Sequence, residues 1–145
     1  MRQFKYCVWL KLDNNHPLNK ECEFPLHITI KSHLEKNDAI KLYKKINKSI
    51  LPLEIEIKEI KDDYIDNFYA YYFLVDTFQK EKLWWWNDSM HLSIVYKYGN
   101  KNDTYNEIKI SNKKYEQLIG NKIIFNEICI FHCDEHYKKW YQVNF

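Results

Sequence analysis

Glycine is nearly missing from this chain of 145 residues: Gly99 and Gly120 are the only two, and they are far apart. Loops that wrap a pyrophosphate need glycine so that bare backbone N–H groups can approach it, so P-loop and dinucleotide-binding fingerprints are excluded. Any phosphate must be held by side chains. Arginine is as scarce, since Arg2 is the only one among 22 basic residues, and the formal charge is only +2. Binding of long duplex nucleic acid normally comes with strong, clustered basicity, so a small nucleotide or oligonucleotide is the anionic partner to expect. No apolar run approaches a membrane span, and the first residues lack the apolar segment of a secretion signal, which predicts a cytoplasmic protein without membrane contact. Cys7, Cys22, Cys129 and Cys133 form no dense disulfide framework and read as reduced thiols.

Aromatic side chains, by contrast, make up 17% of the chain and charged ones 29%. That much large apolar material rules out a disordered chain. The length predicts one domain over residues 1–145, expected as a monomer, which buries roughly 70% of its unfolded surface. Lysine, asparagine and isoleucine are abundant, a usage that accompanies AT-rich coding in a virus, parasite or bacterium.

Alternation marks the strands. Phe4 to Leu12 sets Phe4, Tyr6, Val8, Leu10 and Leu12 against Lys5, Cys7, Trp9 and Lys11, so Trp9 faces away from the main core. Phe24 to Lys31, Leu53 to Ile60, Phe68 to Phe78, Met90 to Tyr98, Ile123 to His132 and Lys139 to Asn144 also read as β. A helix capped by Asn37 or Asp38 should run to about Lys48, and a second from about Asn112 to Ile119, ended by Gly120. The segment from Tyr105 to Ile110 stays unassigned. Helices interspersed with hairpin-like strands predict an α+β chain with two similar lobes.

Two tetrapeptides obey one rule. His27-Ile28-Thr29-Ile30 and His91-Leu92-Ser93-Ile94 both read His, apolar, hydroxyl, apolar. On a strand, the imidazole and hydroxyl stand on one face about 7 Å apart, and the apolar residues anchor the other face. A single copy is most simply a strand histidine beside a chance hydroxyl; a matched pair in a chain with six histidines calls for a common cause. Across a cleft, one imidazole would act as base and the other as acid on a single phosphate, because imidazole takes and gives protons near neutral pH. Thr29 and Ser93 would hydrogen-bond the non-bridging oxygens, where charge builds up. That chemistry needs no metal and no cofactor, and it leaves open which imidazole is the base.

These residues resemble the 2H phosphoesterases (LigT-like phosphodiesterases), defined by two His-x-[Thr/Ser]-x motifs on strands. The motif histidines lie 64 residues apart. The resemblance implies a bilobal α+β fold, two antiparallel sheets with flanking helices around a central cleft, with His27 and His91 as the catalytic pair and Thr29 and Ser93 on the phosphate. It implies cleavage of a cyclic or 2'-5' linked nucleotide messenger such as cGAMP or 2'-5' oligoadenylate, as in small viral members that act in the host cytoplasm against innate immunity. The alternatives are a 2',3'-cyclic phosphate phosphodiesterase in RNA end processing and a catalytically inactive RNA-binding or interaction module. The Leu and Ala common after the motif hydroxyl are Ile30 and Lys31 here.

Strand parity adds Lys31 and Lys97 to the motif face, as clamps for a second phosphate, against the simpler reading of solvated lysines at strand ends. Trp85 and Trp86, within the run Trp84-Trp85-Trp86, and Trp9 are candidates to stack on a nucleobase, against core packing as the alternative. Cys129, His132, Cys133 and His136 are the one cluster of metal-ligand types, but the segment reads as β and the helical spacing that would gather them is missing, so no metal site is expected. Asp62, Asp63 and Asp66 read as a polar turn.

Overall fold

In the computed structural model, the described residues are 5–20, 22, 24–65, 68–99, 113–133 and 137–144. Phe4, Asp66, His136 and the segment 105–110 lie outside them, as do the side chains of Lys20, Ile65, Lys97, Lys113 and Lys114. The strands are β1 (Lys5–Lys11), β2 (His27–Leu34), β3 (Leu53–Ile65), β4 (Phe68–Asp76), β5 (His91–Tyr98), β6 (Lys122–Phe125), β7 (Glu127–Cys133) and β8 (Tyr141–Val143). Pro17–Lys20 forms the single turn α1, and Lys36–Lys45 forms α2.

The expected α+β architecture of two sheets with flanking helices is not what forms. All eight strands join one curled antiparallel sheet in the order β6-β3-β4-β5-β2-β1-β7-β8. The reason lies at the centre, where β2 pairs with β5 through Ile28 and Leu92 and so joins the two halves edge to edge. Both side chains are fully buried, which stabilises the joint by about 1.5–3 kcal/mol each. A one-residue slip here would turn every side chain of a strand to the other face, so this burial also sets the register of the two histidine motifs.

Helical content is low because the second predicted helix does not form. Lys113–Leu118 is a 3-10 segment, closed by Gly120, whose φ of 89° suits glycine and whose N–H donates to the Ile57 carbonyl. The first helix forms, one turn shorter at its end than expected, and its N-cap is Glu35, without a side-chain capping hydrogen bond, because Asn37 and Asp38 lie inside its first turn. Asp38 in its first turn and Lys44 and Lys45 in its last complement the helix dipole. It stops at Ile46, which turns extended and drops into the core, and Asn47 then caps the next short turn through Ser49 N–H.

One face of the sheet carries the main core, including Val8, Leu10, Ile28, Ile55, Phe73, Leu92, Ile94 and Ile130, and α2 packs there against β1 and β7. A smaller cluster of Cys7, Trp9, Cys129, Phe131 and Cys133 is separate from it, as alternation along β1 and β7 requires. No helix among the described residues is long and apolar enough to cross a membrane.

Candidate active site

The antiparallel pairing of Ile28 with Leu92, continued one residue each way, sets His27 opposite Ser93 and Thr29 opposite His91. Directly opposed residues stand about 4.5–5.5 Å apart and diagonal ones about 7–8 Å, so the imidazoles take the diagonal with the hydroxyls on the other two corners. The neighbouring ladders extend this square. Lys11 pairs with His27 and Trp9 with Thr29 on β1, and Tyr72 pairs with Ser93 and Leu74 with His91 on β4. His27, Thr29, His91, Ser93 and Trp9 all line one cavity of about 440 Å³.

Both imidazoles are anchored alike. His27 Nδ1 lies 2.7 Å from the Pro25 carbonyl, and His91 Nδ1 lies 3.0 Å from the Ser89 carbonyl. A carbonyl only accepts, so each Nδ1 carries a proton and donates it two residues back along its own chain, which leaves each Nε2 as the ring atom that can take or give a proton. Their surroundings differ. His27 is 4% exposed and stacks on the Trp9 indole at 3.3 Å and 6° between planes. Burial drives its pKa down to about 3, and the nearby His91 and Lys11 charges push the same way against the Pro25 hydrogen bond. His91 is exposed, with the Tyr72 ring 5.0 Å away.

One of the partners expected from the sequence, Lys31, is removed from the cleft by an irregularity that both motif strands share. Trp9 pairs with Thr29 but Val8 pairs with Lys31, so β2 holds one extra residue, Ile30, just after its motif hydroxyl. Tyr72 pairs with Ser93 but Tyr71 with Val95, so β5 holds an extra Ile94 at the equivalent point. Each bulge reverses the alternation beyond it. Lys31, expected on the motif face, therefore shares its face with core-facing Val8 and lines a different groove with α2 residues. Ser32 and Tyr96, each five residues after its histidine, line the cleft instead. The Tyr96 and Ser93 hydroxyls hydrogen-bond, and burial raises the Tyr96 phenol above its ordinary value. For Lys97 only the backbone is described, paired with Tyr69.

The tryptophans divide. Trp9, 1% exposed between the rings of His27 and Phe131, supports the imidazole and has little open face left for a base. Trp85 is 8% exposed in the main core, and Trp86 packs against that core, half-buried. Neither lines the cleft. Cys129 and Cys133 lie in the cluster around Trp9, whereas His132 packs on Tyr6 and Tyr141.

Two further lining residues are Tyr72 and Asp63: alternation along β4 discloses Tyr72, whereas a register shift between Ile57 and Glu59 carries Asp63 to the cleft face against the alternation of Leu53, Ile55 and Ile57. Asp62 and Asp63 sit within β3 rather than in a turn: Asp62 accepts from the Tyr69 hydroxyl at 2.7 Å, and Asp63 pairs with Ala70. Burial first, and then the Asp63 carboxylate, raise the Tyr72 phenol above its ordinary value. No family model and no curated protein matches the sequence.

Proposed function

We propose that the chain is a phosphodiesterase of the 2H type that uses His27 as general base and His91 as general acid on a small nucleotide ester, cyclic or 2'-5' linked. The carrying observation is the square of His27, Thr29, His91 and Ser93 on one cavity, with both Nε2 atoms left unbonded by the backbone anchors. A general base must start neutral, and the burial that holds His27 uncharged makes it the one to accept. In the step, an adjacent ribose hydroxyl or a water gives its proton to His27 Nε2 as its oxygen bonds to phosphorus. The bond from phosphorus to the leaving oxygen breaks, and that oxygen takes a proton from His91 Nε2. Thr29 and Ser93 donate to the non-bridging oxygens as charge builds on them. An incoming phosphate anion favours the imidazolium that forms on His27, offsetting part of its burial cost.

Opening of a 2',3'-cyclic phosphate is the second reading, and the position of Lys31 favours it: the lysine that would clamp a second phosphate lies on the other face. Incubation with cGAMP, 2'-5' oligoadenylate and a 2',3'-cyclic mononucleotide in EDTA separates the two. Turnover of the first pair supports a messenger-degrading enzyme, and turnover of the last alone supports end processing. Loss of all turnover on chelation overturns both.

A further inference from the structure

The bulge that sends Ser32 into the cleft sends Lys31 to the opposite face of β2, where a groove forms between the strand and α2. Lys31, Lys41, Lys44 and Lys45 line it, with Asp38 as the one carboxylate, over a floor of half-buried Leu34 and Leu42. None of the four lysines forms an ion pair with a described residue. Asp38, Lys41, Leu42 and Lys45 follow one another at the three- and four-residue spacing that makes a continuous stripe along a helix. At its rim Trp84 is 62% exposed, with Lys45 Nζ 5.9 Å from its ring centroid. Its neighbour Trp85 is buried, so the exposure is particular to this indole.

We propose that this groove binds single-stranded nucleic acid, with the lysines on the phosphates and Trp84 stacked on a base. Lysines without an ion pair among the described residues supply the charge complementarity for a polyanion. An open indole beside an apolar floor supplies what a phosphate chain alone does not need and a nucleobase does: a flat face to stack on. An acidic peptide would satisfy the lysines and leave the indole bare. A bilayer would require the apolar residues to protrude, but Leu34 and Leu42 form the floor of a groove.

The inference is independent of the chemistry in the cleft, because the two sites lie on opposite faces of β2. Fluorescence anisotropy with a short labelled single-stranded DNA tests it, since DNA has no free ribose hydroxyl beside its internal phosphates to attack them. Trp84→Ala is expected to weaken binding by about 5- to 150-fold, the range of one stacked base. Lys41→Glu/Lys44→Glu/Lys45→Glu is expected to weaken it further and to flatten its salt dependence, whereas His27→Ala leaves it unchanged. All the altered groove residues are exposed, and circular dichroism checks that each variant keeps the fold. Three results overturn the proposal: no binding by the unaltered protein, binding indifferent to the triple charge reversal, or binding lost in His27→Ala. Anionic vesicles bound as tightly as DNA, with Trp84→Ala without effect on the DNA, would likewise overturn it in favour of a membrane-directed basic patch.

Discussion

Strands β2 and β5 present the same tetrapeptide pattern, the same Nδ1 anchor to a carbonyl two residues back and the same bulge after the hydroxyl, yet their histidines live in different solvents. His27 lies under an indole with almost no water, and His91 is open to it. A matching local pattern thus anchors both rings through Nδ1, and the tertiary neighbours bury one of them and leave the other in water. For acid-base work on a phosphodiester this inequality is useful, because two equivalent imidazoles would compete for the same role.

The strongest way to break the comparison is to remove each ring in turn. His27→Ala and His91→Ala are each expected to lower turnover of the accepted substrate by about 10² to 10⁴-fold, measured in EDTA. An inert binding module would show no turnover to lose. Thr29→Ala and Ser93→Ala should cost about 10²-fold each through loss of a donor at the developing charge, with Thr29→Ser and Ser93→Thr restoring most of the rate.

Next in size is stability against pH. The folded-state pKa of His27 lies below its ordinary 6.5, at about 3, so across that window the unfolded chain holds more protons and stability falls as pH falls. Relative to neutral pH, the loss at pH 5 amounts to about 2 kcal/mol. Urea unfolding of His27→Gln should show that part of the dependence removed, whereas His91→Gln keeps it. The smallest effect is the most specific to the bulge: Lys31→Ala should change turnover by less than about twofold, as for a surface substitution remote from the site. A larger loss would return Lys31 to the cleft.

Most strands and both histidine motifs were legible in the sequence because alternation reports which face a residue takes, but Ile123 to His132, which reads as one strand, divides into β6 and β7 in opposite halves of the sheet, and β3 runs past Ile60 to Ile65. What alternation cannot report is an inserted residue. Ile30 and Ile94 are apolar in an apolar-polar pattern, so neither bulge leaves a trace, and parity therefore put Lys31 on the wrong face and missed Ser32 and Tyr96. The single sheet was likewise hidden, since the pairing of Ile28 with Leu92 joins segments 64 residues apart and no local signal announces it. The helix expected before Gly120 failed for a related reason: the spacing of Tyr115, Leu118 and Ile119 is as compatible with a short 3-10 segment against β3 as with a full helix. The unequal burial of the two imidazoles came from Trp9, which the alternation had set on the right face but whose partner it could not name.

The most direct test of two unequal imidazoles over one phosphorus is nitrogen-detected NMR of the histidine side chains, with and without a non-hydrolysable phosphorothioate diester. His27 should stay neutral with its proton on Nδ1 from pH 8 to pH 5, and both Nε2 resonances should move when the diester is added. A His27 that protonates near its ordinary pKa, or a diester that moves only one of the two rings, would contradict the account.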